Sequence, residues 1–390
     1  MFNFSKEELE NLGAEITTRE IRQQPELWEE TLQIYKDNKE RIDDFLSMIR
    51  EKHDHIRVTF SGAGTSAFVG QTIAPYLSRV NDKNKITFEA LETTNIVTHP
   101  ESYFQEDVPT ILVSYARSGN SPESVATVQL AESIVKDLYQ ITITCAKDGK
   151  LAKFAEGDKN NLLLLQPDRS NDKGFAMTGS YTCMVLTSLL VFDPAEEEVK
   201  ENYVKSIIEM ANTVIEREEE IQKVVDKDFD RVVYLGADAF FGLSREAQLK
   251  ILELTAGKVT TLYDSPVGFR HGPKSYVDEK TLVNVFVSTE EYPRRYDRDL
   301  INEVFYDEIA LDVNSIMVGD DEEIKGNKFV FDNKYENIPN GYLALPYVLY
   351  AQRLALGTAV KLGNKPDTPS PTGTVNRVVK GVVIYPYGRE

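Results

Sequence analysis

A chain of 390 residues, 41% of them hydrophobic, can bury a sizeable core and is long enough for two or three domains. Its formal net charge of −19 argues against a nucleic-acid or anionic-membrane partner, and any anionic ligand must be held by local donors against the overall field. Cys145 and Cys183, the two cysteines, are too few for a disulfide scaffold and read as buried thiols of a cytoplasmic protein; the opening residues do not read as a signal peptide, and the longest apolar run, Met184 to Phe192, is far short of a membrane span.

Residues 1–50 are highly charged and helical in pattern, with Leu27, Trp28, Leu32, Tyr35, Ile42, Phe45, Leu46 and Ile49 at helical spacing. Strand and helix signals then alternate. Ile56–Phe60 reads as a strand, Ser66–Val80 as a helix, Lys85–Ala90 as a strand, Thr110–Ser114 as a buried strand, Pro122–Asp137 as a helix and Leu138–Cys145 as a strand. Such alternation implies a parallel sheet covered on both faces. After a helical stretch over roughly 194–227 the pattern restarts. Asp230 to Phe241 aligns with Ile56 to Ala67, so that Gly236 falls on Gly62, while Asp238, Ala239 and Phe240 replace a glycine and two hydroxyls. One anion site per chain is the simplest inference. The polar stretch from about 290 to 340 reads as an insertion carrying a strand or two; a helix over 342–362, a Pro-Ser-Thr loop and a terminal apolar strand follow.

Two loops could carry binding chemistry. The first, Gly62-Ala-Gly64-Thr65-Ser66, lets the backbone turn sharply into a helix whose N–H groups and dipole favour an anion beside two hydroxyls. Its glycine spacing also fits a dinucleotide fingerprint, with Glu89 or Glu92 as a ribose partner. The second, Ala116-Arg117-Ser118-Gly119-Asn120-Ser121-Pro122-Glu123, follows a strand. Ser121 suits an N-cap and Pro122 the first helical position, which an ordinary capped helix would explain. Arg117, Ser118 and Gly119 at a strand's carboxyl end are not explained that way, because open parallel sheets bind ligands there. Two hydroxyl loops favour a phosphate over a dinucleotide.

In the second half, Lys250 and Glu253 share a helix face, which alone would be a surface ion pair. Apolar neighbours Leu249, Ile251, Leu252 and Leu254 suggest instead a desolvated carboxylate with raised basicity, suited to proton abstraction. His271, between Arg270 and a Gly272-Pro273 turn, is a better acid–base candidate than His53, His55 or His99. His53 and His55 come nearest to a metal spacing, but a solvated helix end explains them more simply. Lys380 alone would pass for a surface lysine.

The two hydroxyl loops, the Glu246–Glu253 helix, Arg270-His271-Gly272-Pro273, Asn376–Lys380 and the opening Glu20–Pro25 together resemble the sugar isomerase (SIS) family, in order and spacing, over most of the chain. The resemblance extends to the isomerase half of glucosamine-6-phosphate synthase and, with Leu262–His271 and the polar insertion, to bacterial proteins of galactosamine catabolism. It implies an α/β fold of two doubly wound lobes, each a parallel sheet flanked by helices: a helical segment over 1–50, a phosphate-binding lobe over 51–200 and a catalytic lobe over 201–390.

By the same resemblance, Thr65, Ser66, Ser118 and Ser121 hold a phosphate, Gly64 permits its close approach, and Asn120 lies on the same loop. Glu253 moves a proton between C1 and C2, with Lys250 beside it. His271 opens the sugar ring from a neighbouring subunit of a homodimer or larger assembly, and Lys380 sits near the ketose carbonyl. Gly174–Thr178 touches the sugar hydroxyls, with Met177 where a hydroxyl is usual. Arg117, where the synthase has glutamine, adds a charged donor. No metal or other cofactor is implied. The chain lacks the synthase's N-terminal cysteine nucleophile, so breakdown of a hexosamine 6-phosphate with release of ammonia is the expected direction. Simple ketose–aldose isomerisation and a non-catalytic sugar-phosphate sensor are the alternatives.

Overall fold

The computed structural model describes residues 1–379 and 381–388. Among them, ten strands form two five-stranded sheets, and the chain divides into two compact units. One unit holds residues 27–172, 179–197 and 375–390; the other holds 1–26, 173–178 and 198–374. The N-terminal helices are thus shared: Lys6–Leu12 and Glu15–Arg22 lie in the second unit, and Lys39–Arg50 in the first.

The first unit carries β1 (Ile56–Gly62), β2 (Ile86–Glu92), β3 (Thr110–Ala116), β4 (Leu138–Thr144) and β5 (Asn161–Leu165), in the order β2-β1-β3-β4-β5. Every pairing is parallel. Parallel strands need a crossover between them, and the helices Thr65–Val80 and Pro122–Ile134 supply two. Helix Gly179–Phe192 carries no charge and is largely apolar, and every one of its residues is buried, as that composition favours. Trp28, fully buried, donates its indole N–H to Thr182 on this helix at 3.0 Å, which satisfies the one polar atom of a large apolar side chain.

The second unit repeats this plan with β6 (Arg231–Leu235), β7 (Thr260–Asp264), β8 (Thr281–Phe286), β9 (Asp312–Val318) and β10 (Asn327–Phe331), again all parallel, in the order β10-β9-β8-β6-β7. One sheet face packs on helix Glu291–Tyr306 through Val233, Val285, Val313, Leu300 and Ile301. Phe286 stacks on Tyr347 of helix Asn340–Lys361 on the other face. The polar stretch 290–340 is therefore not an insertion: it supplies a covering helix and the last two strands of the sheet. The expected terminal strand is absent, since described residues 381–388 form none, and Val383 and Tyr385 are largely exposed.

Backbone geometry repeats with the topology. Gly64 precedes the Thr65–Val80 helix with φ 57 and ψ −130, and Asp238 precedes helix Ala239–Leu254 with φ 57 and ψ −125. A Cβ on Gly62 would lie 2.6 Å from the Ser66 carbonyl carbon, and one on Gly236 would lie 2.5 Å from the Phe240 Cβ, so both glycines are sterically required.

Candidate active site

Both hydroxyl loops sit at the carboxyl ends of neighbouring strands, β1 and β3. The chain leaves β1 for β2 on one side and then takes β3 on the other, so these loops flank the reversal of strand order where open α/β sheets bind ligands. Positive φ at Gly64 turns the chain, and Thr65 and Ser66 enter the first turn almost wholly buried. The N–H groups of Ser66 and Ala67 are not left open as expected. They close tight turns onto the Ala63 and Gly64 carbonyls at 3.2 and 2.9 Å.

In the second loop, positive φ at Gly119 reverses the chain, and the Asn120 amide bonds the Ser118 carbonyl at 2.9 Å while accepting the Lys150 N–H at 3.1 Å. Ser121 holds the N-cap position, but its hydroxyl bonds Ser124 Oγ at 2.6 Å rather than a backbone N–H. Arg117 is buried, and its Nη2 donates to the Arg377 carbonyl at 2.6 Å. Arg377 in turn donates to Asn171 Oδ1 at 3.2 Å and to the Asp172 carbonyl. Asp172, fully buried, caps helix Gly179–Phe192 by accepting the Gly179 and Ser180 N–H groups. A guanidinium has five donors, so Arg117 can tie down the C-terminal segment and still face an anion. Arg377 has no role assigned to it in the sequence, where it lies within the Asn376–Lys380 stretch.

Both acidic residues of the dinucleotide reading already accept from protein side chains. Glu89 accepts from Arg57 and Thr59, and Glu92 accepts from Gln71. His53 bonds the Tyr139 hydroxyl at 3.0 Å and His55 the Asn84 carbonyl at 3.0 Å. Cys145 and Cys183 are buried free thiols, and burial pushes Cys145 up to about 12, which removes its thiolate at neutral pH.

In the second unit, the 239–254 helix carries a charged triad. Lys250, fully buried, lies 2.8 Å from Glu253 Oε2 and 3.3 Å from Oε1 of the fully buried Glu246. Burial works against the ammonium, but the carboxylates of Glu246 and Glu253 outweigh it and hold the Lys250 pKa above the usual lysine range. Glu253 departs from the expected apolar setting: its side chain is a quarter exposed and paired with an ammonium, and Leu252 beside it faces solvent. Glu246 went unassigned in the sequence; its four-residue spacing from Lys250 was the available signal.

His271 is exposed on the turn after the short helix Pro266–Phe269. Its flanks are pinned: Arg270 pairs with Glu303 at 2.6 Å, and Lys274 pairs with Glu303 and with Asp307, the latter at 2.6 Å. Thr178 is buried at the end of the 173–178 segment, where the Gly174 N–H bonds the Glu20 carboxylate at 3.1 Å. Lys380 lies outside the described residues. Among the described residues, no group of three or more His, Cys, Asp or Glu could hold a metal ion, and no helix is long and apolar enough to cross a membrane.

The SIS domain model matches residues 26–192, the span that contains the first sheet. A protein of Shewanella sp. strain ANA-3 named D-galactosamine-6-phosphate deaminase AgaS is 41% identical over 98% of this chain and 95% of its own length. The chain belongs to the SIS family. A crystal structure of tagatose-6-phosphate ketose/aldose isomerase from Escherichia coli superposes with TM-score 0.86 at 37% identity, covering 96% of this chain and 97% of that one. One from Clostridium novyi NT gives TM-score 0.94 at 43% identity, covering 99% of both chains. The two-lobed α/β architecture of this SIS protein is therefore shared along its whole length with these relatives.

Proposed function

We propose that this SIS protein is a cytoplasmic enzyme that converts D-galactosamine 6-phosphate and water into tagatose 6-phosphate and ammonia. The observation that carries the reading is the pair of hydroxyl loops at the ends of β1 and β3, in a chain similar over its whole length to a named D-galactosamine-6-phosphate deaminase. The lobe over 51–200 would bind the ester through Thr65, Ser66, Ser118, Ser121, Asn120 and the Arg117 guanidinium, with Gly64 giving room. Such donors compensate a dianion locally in an acidic protein.

The lobe over 201–390 would supply the chemistry, after the helical segment 1–50. His271 assists ring opening; its exposure and pinned flanks suit delivery to a second copy in a homo-oligomer. Glu253 takes the C2 proton and returns it to C1, which turns the 2-amino aldose into a 2-imino sugar. Water adds at C2, ammonia leaves, and the ketose remains. Lys250, itself fixed by Glu246, holds the Glu253 carboxylate in one orientation, and Lys380 would polarise the open-chain carbonyl. Thr178 would contact a sugar hydroxyl. These steps need a positioned base and charge stabilisation and call on no metal or other cofactor.

Ketose–aldose isomerisation without deamination is the second reading, favoured by similarity to the E. coli isomerase. Incubating purified protein with D-galactosamine 6-phosphate separates the two. Ammonia and ketose in equal amounts support the deaminase; ketose formation confined to a substrate without nitrogen supports the isomerase.

A further inference from the structure

From Val375 the chain returns to the first unit, and apolar burial does little to hold it there, since Val375, Val378 and Val379 are all exposed. The Arg377 side chain is a polar anchor. It sends a single nitrogen, Nη2, to two acceptors in the stretch that follows β5: Asn171 Oδ1 at 3.2 Å and the Asp172 carbonyl. Those acceptors are themselves held. The fully buried Asp172 carboxylate accepts the Gly179 N–H at 3.2 Å, the Ser180 N–H at 3.0 Å and the Ser180 hydroxyl at 2.5 Å. These bonds tie the stretch to a helix whose every residue is buried.

While its side chain is held in this way, Arg377 offers its main-chain carbonyl to Arg117, whose Nη2 donates to it at 2.6 Å. Arg117 stands directly after β3, one residue before Ser118 of the second hydroxyl loop, and is 6% exposed. A guanidinium is planar, so a bond at one nitrogen of a buried side chain sets the direction of its other four N–H donors. An arginine free to swing gives up that freedom each time it meets an anion, whereas one already held has given it up on folding. Support therefore runs from the 179–192 helix through Asp172 and Arg377 to Arg117, contact by contact and within one unit. Arg377 meets the loop through its side chain and Arg117 through its main chain, so its influence on a ligand passes through Arg117.

We propose that Arg377 is a positioning residue: anchored on Asn171 and Asp172, it holds the Arg117 guanidinium in the orientation that receives the phosphate ester. The inference rests on the reading of the hydroxyl loops as a phosphate site. Calorimetric titration of the full chain with inorganic phosphate and with sorbitol 6-phosphate, which has no carbonyl to react, tests it. Arg377→Ala should weaken both ligands by the same factor, about tenfold, because the loss falls on a charged donor to the phosphate they share. Arg377→Lys should recover most of that affinity, since one ammonium can serve the two acceptors that one guanidinium nitrogen serves. Asn171→Ala, which leaves Arg377 itself in place, should shift affinity in the same direction. Arg117→Ala should weaken binding at least as much as Arg377→Ala, and combining the two should cost nothing more. In turnover of D-galactosamine 6-phosphate, Arg377→Ala should raise KM more than it lowers kcat. Additive losses in the double variant, native affinity in Arg377→Ala, or a lysine variant no tighter than the alanine one would overturn the proposal while leaving the phosphate site standing. A native chain that binds neither ligand would overturn the phosphate reading itself, and this inference with it.

Discussion

Asp297 offers a sharp test of how the second lobe is held. It lies on the 291–306 helix, 2% exposed, and one carboxylate oxygen accepts the Ser288 N–H at 2.9 Å, fixing the loop that follows β8. The other oxygen has no hydrogen-bond partner. The Arg294 charge offsets burial only in part; its guanidinium serves the Ser288, Val318 and Gly319 carbonyls. Burial therefore pushes the Asp297 carboxyl from 3.8 up to about 7. The folded state holds this proton more tightly than the unfolded state does. Its contribution to stability is full below the unfolded value and is lost as pH rises through the folded one. At about 1.4 kcal/mol per pH unit, the window amounts to about 4 kcal/mol. Asp297→Asn keeps the acceptor for Ser288 and carries no charge at any pH. Urea denaturation should find the variant within about 1 kcal/mol of the native protein at pH 4.5, and about 2–4 kcal/mol more stable at pH 8.5. Parallel pH dependences for the two proteins would refute the reasoning.

Other changes probe other links. Asp238→Gly should raise the melting temperature, because an L-residue held at positive φ costs about 1–3 kcal/mol, more than the entropy glycine adds; an unchanged or lower melting point would contradict the strain. Gly64→Ala should weaken inorganic phosphate binding and lower stability by about 1–3 kcal/mol through backbone strain alone, since a Cβ there meets nothing within 4 Å; denaturation and phosphate titration read the two effects. Glu253→Gln should lower turnover at least about a hundredfold while ligand affinity stays near native, and near-native rates would remove Glu253 as the base. Glu246→Gln removes a counter-charge from buried Lys250 and should lower kcat more than KM; a rise in KM alone would give Glu246 a binding role instead.

Much of the first lobe was legible because its signals are local. Strand Ile56–Gly62 alternates cleanly into Gly62, where a Cβ would clash, and then Gly64, held at positive φ, and the second loop's Ser121 and Pro122 mark a helix start. Topology was legible through repetition: Gly236 on Gly62 foreshadowed a second sheet with the same strand order. The stretch 290–340 was misread because helix Glu291–Tyr306 buries only Asp297, Leu300, Ile301 and Val304, and β10 is a short edge strand with alternate residues partly open. Few apolar positions amid many charges look like an insertion until the sheet they complete is seen. The terminal apolar run failed the other way, since strand-like composition needs a neighbouring strand, and none pairs with 381–388. The Lys250–Glu253 pair, three residues apart, could be read from spacing, whereas the tie of Arg117 to the Arg377 carbonyl depends on a long-range partner that spacing does not reveal.

The most direct test of the account is a crystal structure of Glu253→Gln soaked with D-galactosamine 6-phosphate. The phosphate should lie against Thr65, Ser66, Ser118 and Ser121, within hydrogen-bond reach of the loops that end β1 and β3. A phosphate seated elsewhere, away from those hydroxyls, would contradict it.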